Sequence, residues 1–483
     1  MSHPSDSRFA GSVGLFTNGD TRARLPKVEV RLERHRTRSR LATLSLLLLL
    51  PMTGWTSDPS GPEEETTSTA QASPARRWYY VTRAEATTLA LLPRAGVGEE
   101  EGFIQVEPTF IIDGGPEFGV NVGAPVRFRM SGGGDGASLV RHEDWDTLSD
   151  WGQLVRGLKF GSDDAPWGVW FGGLDNYSLL TGHLVRRYSN RTNPDYHPAG
   201  GFLTGTVGPL YTEAFASDVL GARLLGAEFS LDMEHVLFGK PEQPGRYTLA
   251  LSAVHDWGRA GGRAASVTLA HLDATAVVVV KPGYEALVIA GWGGRPGVGG
   301  AWGAVVGARV DAVSSTLDTT LRMEVRLQRG GFRQGFFGPD YELARFKAAG
   351  PDGVPLADAP FPDGYSVHGE AVVGWDAVSY GGLYKHLQLS LGAEAFSWGR
   401  FDLDGRVAVQ LFERSLEVAL KGLAVGAGKP GARFLGATEV RWRFLGGRLY
   451  AMGTGGTLLF PTKEGTLRQG AFASVGLGAD NAR

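Results

Sequence analysis

Apolar and polar residues alternate with a period of two along most of the chain, from about residue 103 to residue 479. The stretch 321–328 shows the pattern clearly, because single apolar residues separate the charged ones, which are Arg322, Glu324 and Arg326. The stretch 439–444 repeats the pattern with a second set of charged residues, which are Glu439, Arg441 and Arg443. A period of two predicts β-strands that have one apolar face and one polar face.

The alternating runs are about 10 to 14 residues long, whereas strands in soluble proteins usually have about 5 or 6 residues. A tilted strand that crosses a membrane needs about 9 to 11 residues, so the length favours membrane-spanning strands. Short and long connectors mostly alternate, as in bacterial barrels with short periplasmic turns and longer external loops. If the last strand ends in the periplasm, the short connectors fall on that side; they are 281–283, 312–315, 412–414 and 445–447. The long connector 329–364 then falls outside, while 234–244 and 376–384 are longer than this rule expects.

We therefore predict an all-β chain in which residues 103–479 form a single large, closed, antiparallel transmembrane β-barrel of about 16–18 strands. The sheet must close, because an open edge in lipid would leave backbone N–H and C=O groups without hydrogen-bond partners. We expect the apolar faces to meet lipid and the polar faces, with the six charged residues named above, to line the interior. Their mixed charges predict a weakly selective interior, or a network of ion pairs that partly fills it.

The amino-acid composition excludes several other classes of protein and of functional site. The mean hydropathy is −0.10, and the sequence has none of the apolar spans of ~20 residues that helical membrane proteins need. The chain has no cysteine, which excludes disulfides, thiolate metal sites, Cys nucleophiles and lipid attachment at Cys. A net charge of −3 gives no basic excess that would indicate nucleic-acid binding.

The N-terminal part of the chain has the features of an export signal. Five Arg residues precede the apolar run 41–50, which stops at Pro51. A basic region followed by about ten apolar residues is typical of a signal peptide and is too short for a membrane anchor. We expect residues 1–57 to be an N-terminal lead-in and signal peptide. Residues 58–102 are expected to be a disordered or partly helical linker, because Pro, Ser, Thr, Glu and Ala dominate the first part of that segment.

The chain resembles the outer-membrane β-barrel proteins of Gram-negative bacteria, porins included. The shared features are the signal-like run, the lack of cysteine and the alternating strands rich in Gly and aromatic residues. The resemblance covers about residues 103–479 and rests on this pattern rather than on a motif. It implies a location in the outer membrane, contact with outer-membrane lipid and folding by the barrel assembly machinery. One feature departs from the class: such barrels typically end on an aromatic residue, whereas the last aromatic residue here is Phe472 and the chain ends at Arg483.

Candidate binding chemistry concentrates in residues 145–201, which combine several Trp and Tyr residues with His and Arg. His183, Arg186 and Arg187 are candidates for a constriction or a ligand site, because charged side chains around a pore set its selectivity. The alternative is that they form a solvated face beside structural aromatic residues.

Catalytic chemistry has little support in the sequence. Asn176, Ser178 and His183 are close along the chain, but a hydrolase triad is defined by spatial geometry that a sequence does not give. The histidines show no H-E-x-x-H pattern or other paired metal-ligand spacing. We therefore predict no catalytic residues, no metal site and no cofactor.

The function that this pattern favours is a porin-like channel for the passive passage of small polar solutes, and not an enzyme. A barrel of this size is wide enough for an aqueous lumen unless loops fold inward, and the candidates for such loops are 329–364 and 131–165. Two alternatives stay open. One is a plugged structural or ligand-binding barrel without an open pore. The other is a soluble exported β-sandwich or propeller, in which the apolar faces would pack inside.

Overall fold

The computed structural model describes residues 79–93, 101–113, 118–132, 137–161, 166–221, 223–239, 245–257, 266–314, 316–346, 361–376, 386–412, 415–461 and 467–480. Nearly all regular secondary structure in these ranges is β-strand. No helix among the described residues is long and apolar enough to cross a membrane. The expected lead-in and signal peptide, residues 1–57, lie outside the described residues.

The described residues contain 21 strands. The first ten are β1 (Tyr79–Pro93), β2 (Glu101–Asp113), β3 (Phe118–Gly123), β4 (Val126–Ser131), β5 (Val155–Gly161), β6 (Trp167–Gly172), β7 (Gly200–Val207), β8 (Leu210–Ala216), β9 (Leu224–Asp232) and β10 (Tyr247–Asp256). The others are β11 (Val267–Lys281), β12 (Tyr284–Gly294), β13 (Trp302–Val313), β14 (Leu317–Arg329), β15 (Gly364–Asp376), β16 (His386–Phe396), β17 (Phe401–Leu411), β18 (Leu416–Ala427), β19 (Arg433–Phe444), β20 (Leu449–Pro461) and β21 (Leu467–Asp480).

Short helices occupy some of the connectors. Two are α-helices, α1 (Met233–Phe238) and α2 (Tyr341–Phe346), and three are 3₁₀ helices, η1 (His142–Asp144), η2 (Leu148–Leu154) and η3 (Leu445–Gly447). Helix α1 begins after Asp232, whose carboxylate accepts hydrogen bonds from the backbone N–H groups of Glu234 and His235. This is the usual way in which an N-cap residue satisfies the first N–H groups of a helix.

The strands form one closed antiparallel ring, because β1 pairs with both β2 and β21. Strands β3 and β4 share one position in the ring, since β3 pairs with the second half of β2 and β4 pairs with its first half. The break between them includes Pro125, which has no N–H group to donate to a neighbouring strand. At Gly123 a Cβ atom would lie 2.4 Å from the Pro108 carbonyl oxygen, so the backbone passes too close there for any other residue. Counting β3 and β4 once, the 21 strands make a 20-stranded barrel.

The predicted closed antiparallel barrel is confirmed, but the expected count of about 16–18 strands is too low. Strands β5, β6, β7 and β8 are only 6 to 8 residues long, so their alternation is brief and hard to detect. Strand β1 lies inside segment 58–102, for which the sequence predicts a linker; that expectation needs correction over 79–93. There Ala and Thr weaken the alternation, and pairing with β2 and β21 supplies the stabilisation that local propensity does not.

The connectors divide between the two ends of the barrel as the sequence predicts. The start of β1 and the end of β21 lie together at one end, because Arg83 is the register partner of Asp480. The connectors at this end are mostly short, and they include 208–209, 282–283, 314–316 and 445–448. Two longer ones, 233–246 and 377–385, also lie there and are the exceptions that the sequence indicated. The long connectors 173–199 and 330–363 lie at the opposite end.

Apolar side chains cover the outside of the ring. On β14, Leu321, Met323 and Val325 are 47%, 65% and 51% exposed. The alternate residues of that strand are buried inside the ring, namely Arg322, Glu324 and Arg326. This arrangement gives the fold of a transmembrane barrel, in which lipid covers the apolar face. It contradicts the sandwich and propeller alternatives, because in those folds the apolar side chains would be packed between sheets.

A charge placed on the outer face of β14 tests this arrangement. We expect Met323→Arg to destabilise the membrane-embedded barrel by about 2–4 kcal/mol, because Met323 lies midway along its strand and Arg is costly near the bilayer midplane. Denaturant titration of folding into phospholipid vesicles measures the change. The control is Val298→Arg, at an exposed position in the turn between β12 and β13, for which we expect a change below about 0.5 kcal/mol. Equal effects of the two substitutions would contradict the assigned outer face.

Candidate functional site

A long connector enters the barrel between β6 and β7, and we call it the first inward segment (residues 173–199). Val185 and Tyr188 in this segment are fully buried. The segment contacts Glu213 on β8 and Lys421 on β18, which lie far apart around the ring. Because Glu213 and Lys421 both face the interior of the barrel, the first inward segment lies in the lumen.

Polar contacts fix the first inward segment to eight strands of the wall. They join Tyr177 to Glu213 on β8, Thr181 to Glu228 on β9, His183 to Asp273 on β11 and Glu324 on β14, Arg186 to Glu370 on β15, Arg187 to Ser390 on β16 and Asp404 on β17, and Asp175 to Lys421 on β18. Removing one partner of a buried ion pair costs about 3–5 kcal/mol, since the other charge is left without compensation. The wall and the segment therefore hold each other in place.

A second connector, between β14 and β15, also turns into the lumen; we call its described part the second inward segment (residues 330–346). It belongs to the connector 329–364 that the sequence singles out as a candidate constriction. Arg333 and Asp340 in this segment form ion pairs with Asp402 on β17 and Arg433 on β19. Residues 347–360 lie outside the described residues.

The two inward segments pack on each other around a shared apolar core. Val185 and Phe337 form a parallel β-bridge, and the Tyr188 hydroxyl donates a hydrogen bond to Glu342. The surrounding core contains buried side chains from both segments and from the wall, including Leu179, Leu184, Phe215, Leu224, Leu269, Phe332, Phe336 and Tyr341. This packing narrows a lumen that 20 strands would otherwise leave wide.

His183 lies at the centre of a buried polar cluster in the described lumen. Its Nδ1 atom lies 2.6 Å from Asp273 Oδ1, and its Nε2 atom lies 3.0 Å from Glu324 Oε1. Arg322 and Arg326 both contact Glu324. The structure thus brings His183 together with three of the residues that the sequence places on the inner face of β14.

The cluster also includes two residues of β11 that the sequence pattern did not indicate, His271 and Asp273. His271 Nδ1 lies 2.9 Å from Asp273 Oδ2, and both side chains are almost completely buried. Two glycines on the inner face of β12 make room for them. A Cβ atom at Gly291 would lie 2.4 Å from Asp273 Oδ1, and one at Gly293 would lie 2.2 Å from His271 Cδ2. Glycines at every second position of one strand are a signal that the sequence did contain.

The other predicted pore-lining group lies on β19, in a different part of the wall. Arg441 contacts Glu439 across 3.4 Å on the same strand, and Arg443 contacts Asp480 of β21 across 3.1 Å. Both guanidinium groups also lie over the ring of Tyr450. All three charged residues face the interior, but no contact joins them to His183 in the described part of the chain. The sequence-predicted residues therefore form two separate clusters.

Residues 137–154, within the predicted constriction 131–165, support the first inward segment from the side of the long connectors. Asp144 in η1 forms ion pairs with Arg127 and Arg141, and Arg141 also binds Asp195 of the segment. His197 Nε2 lies 3.4 Å from Asp144 Oδ1. Burial acts to raise the pKa of Asp144, but Arg127, His197 and Arg141 together hold that pKa well below its ordinary value. This region thus contacts the base of the first inward segment.

A small cavity remains between the two inward segments and the wall. Its volume is ≈ 50 Å³, which is enough for a few water molecules. Four guanidinium groups line the cavity, those of Arg186, Arg187, Arg326 and Arg333. Four carboxylates line it as well, those of Asp340, Glu394, Asp402 and Asp404. The charges balance formally. The cavity is therefore polar, small and without a dominant sign of charge.

The residues considered for a hydrolase triad are engaged elsewhere. His183 contacts Asp273 and Glu324, and the Ser178 hydroxyl accepts a hydrogen bond from the backbone N–H of Arg187. Asn176 adopts a left-handed backbone conformation, with φ of 54°. Among the contacts of the described residues, none joins Asn176, Ser178 and His183 into a triad.

No protein-family model matches the chain, and a search of curated proteins also finds no match. Solved structures with some similarity include OccAB3 from Acinetobacter baumannii, at 9% identity and a TM-score of 0.37, covering 83% of this chain and 98% of that one. The outer membrane protein opdK from Pseudomonas aeruginosa matches at 9% identity with a TM-score of 0.34 and the same coverage. A BenF-like porin from Pseudomonas fluorescens Pf-5 matches at 8% identity with a TM-score of 0.32, again with the same coverage. These similarities are too weak to transfer a substrate or a residue's role.

The contacts of Asp144 predict a pH-dependent loosening of this support. Because the folded pKa of Asp144 lies below its ordinary value of 3.8, its stabilising contribution is complete above that value and is lost as the pH falls below it. His197 acts in the same direction: burial lowers its pKa below 6.5, so acid favours a detached, protonated state. We expect amide hydrogen exchange in 137–154 and 190–199, corrected for intrinsic rates, to accelerate between about pH 6 and pH 3.

The variant Asp144→Asn should exchange quickly in these segments at neutral pH, with a weaker dependence on acid. Glu143→Gln is the matched control, because Glu143 is an exposed neighbour on the same connector whose carboxylate lies 4.0 Å from Arg141 at the surface, a contact that contributes little to stability. It should behave like the unsubstituted protein. A profile that is flat in acid for the unsubstituted protein would show that Asp144 and His197 do not hold this region.

Proposed function

We propose that the protein is a porin-like channel of a Gram-negative outer membrane that passes ions and small polar solutes through a lumen narrowed by its two inward segments. The observation that carries the proposal is the polar, charge-balanced cavity left between those segments and the wall. The cavity sets eight charged groups around a gap with room for a few water molecules, which are surroundings that suit a hydrated ion. The proposed role for Arg186, Arg187 and Arg326 is to line the path at this level. His183, Arg322 and Glu324 fix the first inward segment beside it.

The location follows from the outer surface. A closed ring leaves no strand edge unsatisfied, and its outward side chains, such as Met323, suit hydrocarbon. The signal-like run 41–50 and the lack of cysteine fit export to an oxidising compartment. In this proposal, outer-membrane lipid surrounds the barrel and the barrel assembly machinery inserts it.

A specific observation favours the second candidate, a plugged barrel. The first inward segment is tied to eight strands, and the cavity beside it measures only ≈ 50 Å³. A solute larger than a few water molecules would need the inward segments to move. The two candidates therefore make opposite statements about current through a folded barrel.

Single-channel recording in planar bilayers separates them. We expect small, steady conductance steps and a reversal potential near zero in a KCl gradient, since the cavity has balanced charge. The variant Arg187→Ala removes the ion pairs to Asp404 and Glu370 and should raise the conductance roughly twofold or more, because the first inward segment loses part of its anchoring.

The matched control is Arg329→Ala, at an exposed position on the same end of the barrel as the long connectors. It should leave the conductance unchanged. Insertion of each protein is verified by heat-modifiable migration on gels. The absence of steady current from correctly inserted protein, with and without Arg187, would reject the channel and support the plugged barrel.

A further inference from the structure

Two histidines and one aspartate meet where the first inward segment touches β11. Each of the three residues His183, His271 and Asp273 offers one possible ligand atom, and these three atoms lie within 4.8 Å of one another. All three residues are buried. His183 Nδ1 is 2.6 Å from Asp273 Oδ1, and His271 Nδ1 is 2.9 Å from Asp273 Oδ2. Both imidazole rings therefore direct a nitrogen at the same carboxylate.

We propose that these three residues, the lumenal His–His–Asp cluster, bind one divalent transition-metal ion of the zinc class. Two imidazole nitrogens and a carboxylate oxygen are donors that Zn²⁺ prefers, and a site with three protein ligands keeps a fourth position for water. Donor atoms around tetrahedral zinc are ~3.3 Å apart, given metal–ligand bonds of about 2.0–2.1 Å. Binding would therefore move His183 Nδ1 and Asp273 Oδ1 slightly apart from their 2.6 Å contact, while the widest separation in the cluster, up to 4.8 Å, would shrink.

Glu324 supplies the support that a histidine ligand usually needs. Its Oε1 atom lies 3.0 Å from His183 Nε2. The ion-free contacts fit a ring whose Nδ1–H donates to Asp273 and whose Nε2 accepts from Arg322 Nη2; an ion bound at Nδ1 would move the ring proton to Nε2, where Glu324 can accept it. A carboxylate that holds the outer nitrogen of a metal-bound histidine is the common arrangement in metal sites.

His271 provides an independent indication. Its Nε2 atom is buried and has no hydrogen-bond partner among the described residues. A buried polar nitrogen without a partner is costly, and an ion bound through Nδ1 would leave it so; the position is satisfied by a water, or by an ion bound through Nε2 itself while Nδ1–H donates to Asp273. The glycines at 291 and 293 on β12 keep space beside this ring that any larger residue would fill.

Charged groups of both signs surround the cluster, and they have opposite effects on the binding of a cation. Arg322 Nη2 lies 2.7 Å from His183 Nε2, and its positive charge opposes a bound cation. Asp273 and Glu324 oppose that effect with two carboxylates, and Glu228 adds a third through its contacts with Thr181. The carboxylates thus outnumber the guanidinium groups of Arg322 and Arg326, which leaves a net negative charge to receive the ion.

A metal here would tie the first inward segment to the wall at one point of the barrel. We predicted no metal site from the sequence, because residues 183, 271 and 273 match no ligand motif along the chain. The proposal does not rest on the channel: a plugged barrel would bind the ion equally well.

The test uses the full chain, purified without a histidine tag, stripped with chelator and folded in detergent. Isothermal titration with ZnCl₂ should show one ion per chain, with a Kd of about micromolar or below. Replacement of Zn²⁺ by Co²⁺ should give a visible absorption spectrum of tetrahedral nitrogen and oxygen coordination. Zn²⁺ should also raise the temperature at which the folded gel band is lost.

Variants identify the ligands. His183→Gln and His271→Gln keep a polar side chain of similar size and should each weaken Zn²⁺ binding at least tenfold, as should Asp273→Asn. His142→Ala, at an exposed histidine of η1, is the matched control and should bind like the unsubstituted chain. Gel migration confirms that each variant is folded. The proposal is overturned if the unsubstituted chain binds no Zn²⁺, or if folded His183→Gln and His271→Gln bind it as tightly as the control.

Discussion

Backbone N–H and C=O groups in hydrocarbon have no water to bond, so every strand that crosses the membrane needs a partner on both sides. The rest of this structure depends on that constraint. It closes 20 strand positions into a ring, with β1 joined to β21, and it permits the break at Pro125 because β3 and β4 together still cover β2. With lipid outside, the polar face of every strand must point inward.

The inward polar face creates the second requirement, which is to compensate buried charge. Arg326 and Glu324 are almost completely buried, and an unpaired charge at either position would be costly. The two inward segments meet this requirement by presenting complementary groups, such as Arg187 to Asp404. Their apolar side chains then pack on each other in the middle of the lumen. The ion pairs of the wall and the narrowness of the passage are therefore two consequences of one arrangement.

The sequence predicted the barrel and the inward face of strands such as β14, because alternation over 13 residues leaves little ambiguity. It did not predict β1, whose Ala- and Thr-rich sequence has no strong period, or the short strands from β5 to β8. His183, Arg186 and Arg187 were identified as candidates, but their partners were not. Asp273 lies 90 positions from His183 and Asp404 lies 217 positions from Arg187. Only the closed ring brings such residues together, and the size of the ring depends on strands that the pattern did not resolve.

Which face of β14 meets lipid can be measured by thiol labelling, because the chain has no cysteine of its own. Single Cys residues are introduced at each position from 321 to 328, and the folded protein in lipid vesicles is treated with a membrane-soluble thiol reagent. The account predicts strong labelling at 321, 323 and 325 and weak labelling at 322, 324 and 326. Labelling that is strong at the even positions and weak at the odd ones would place the charged face in contact with lipid, and both the closed barrel and its lumen would have to be abandoned.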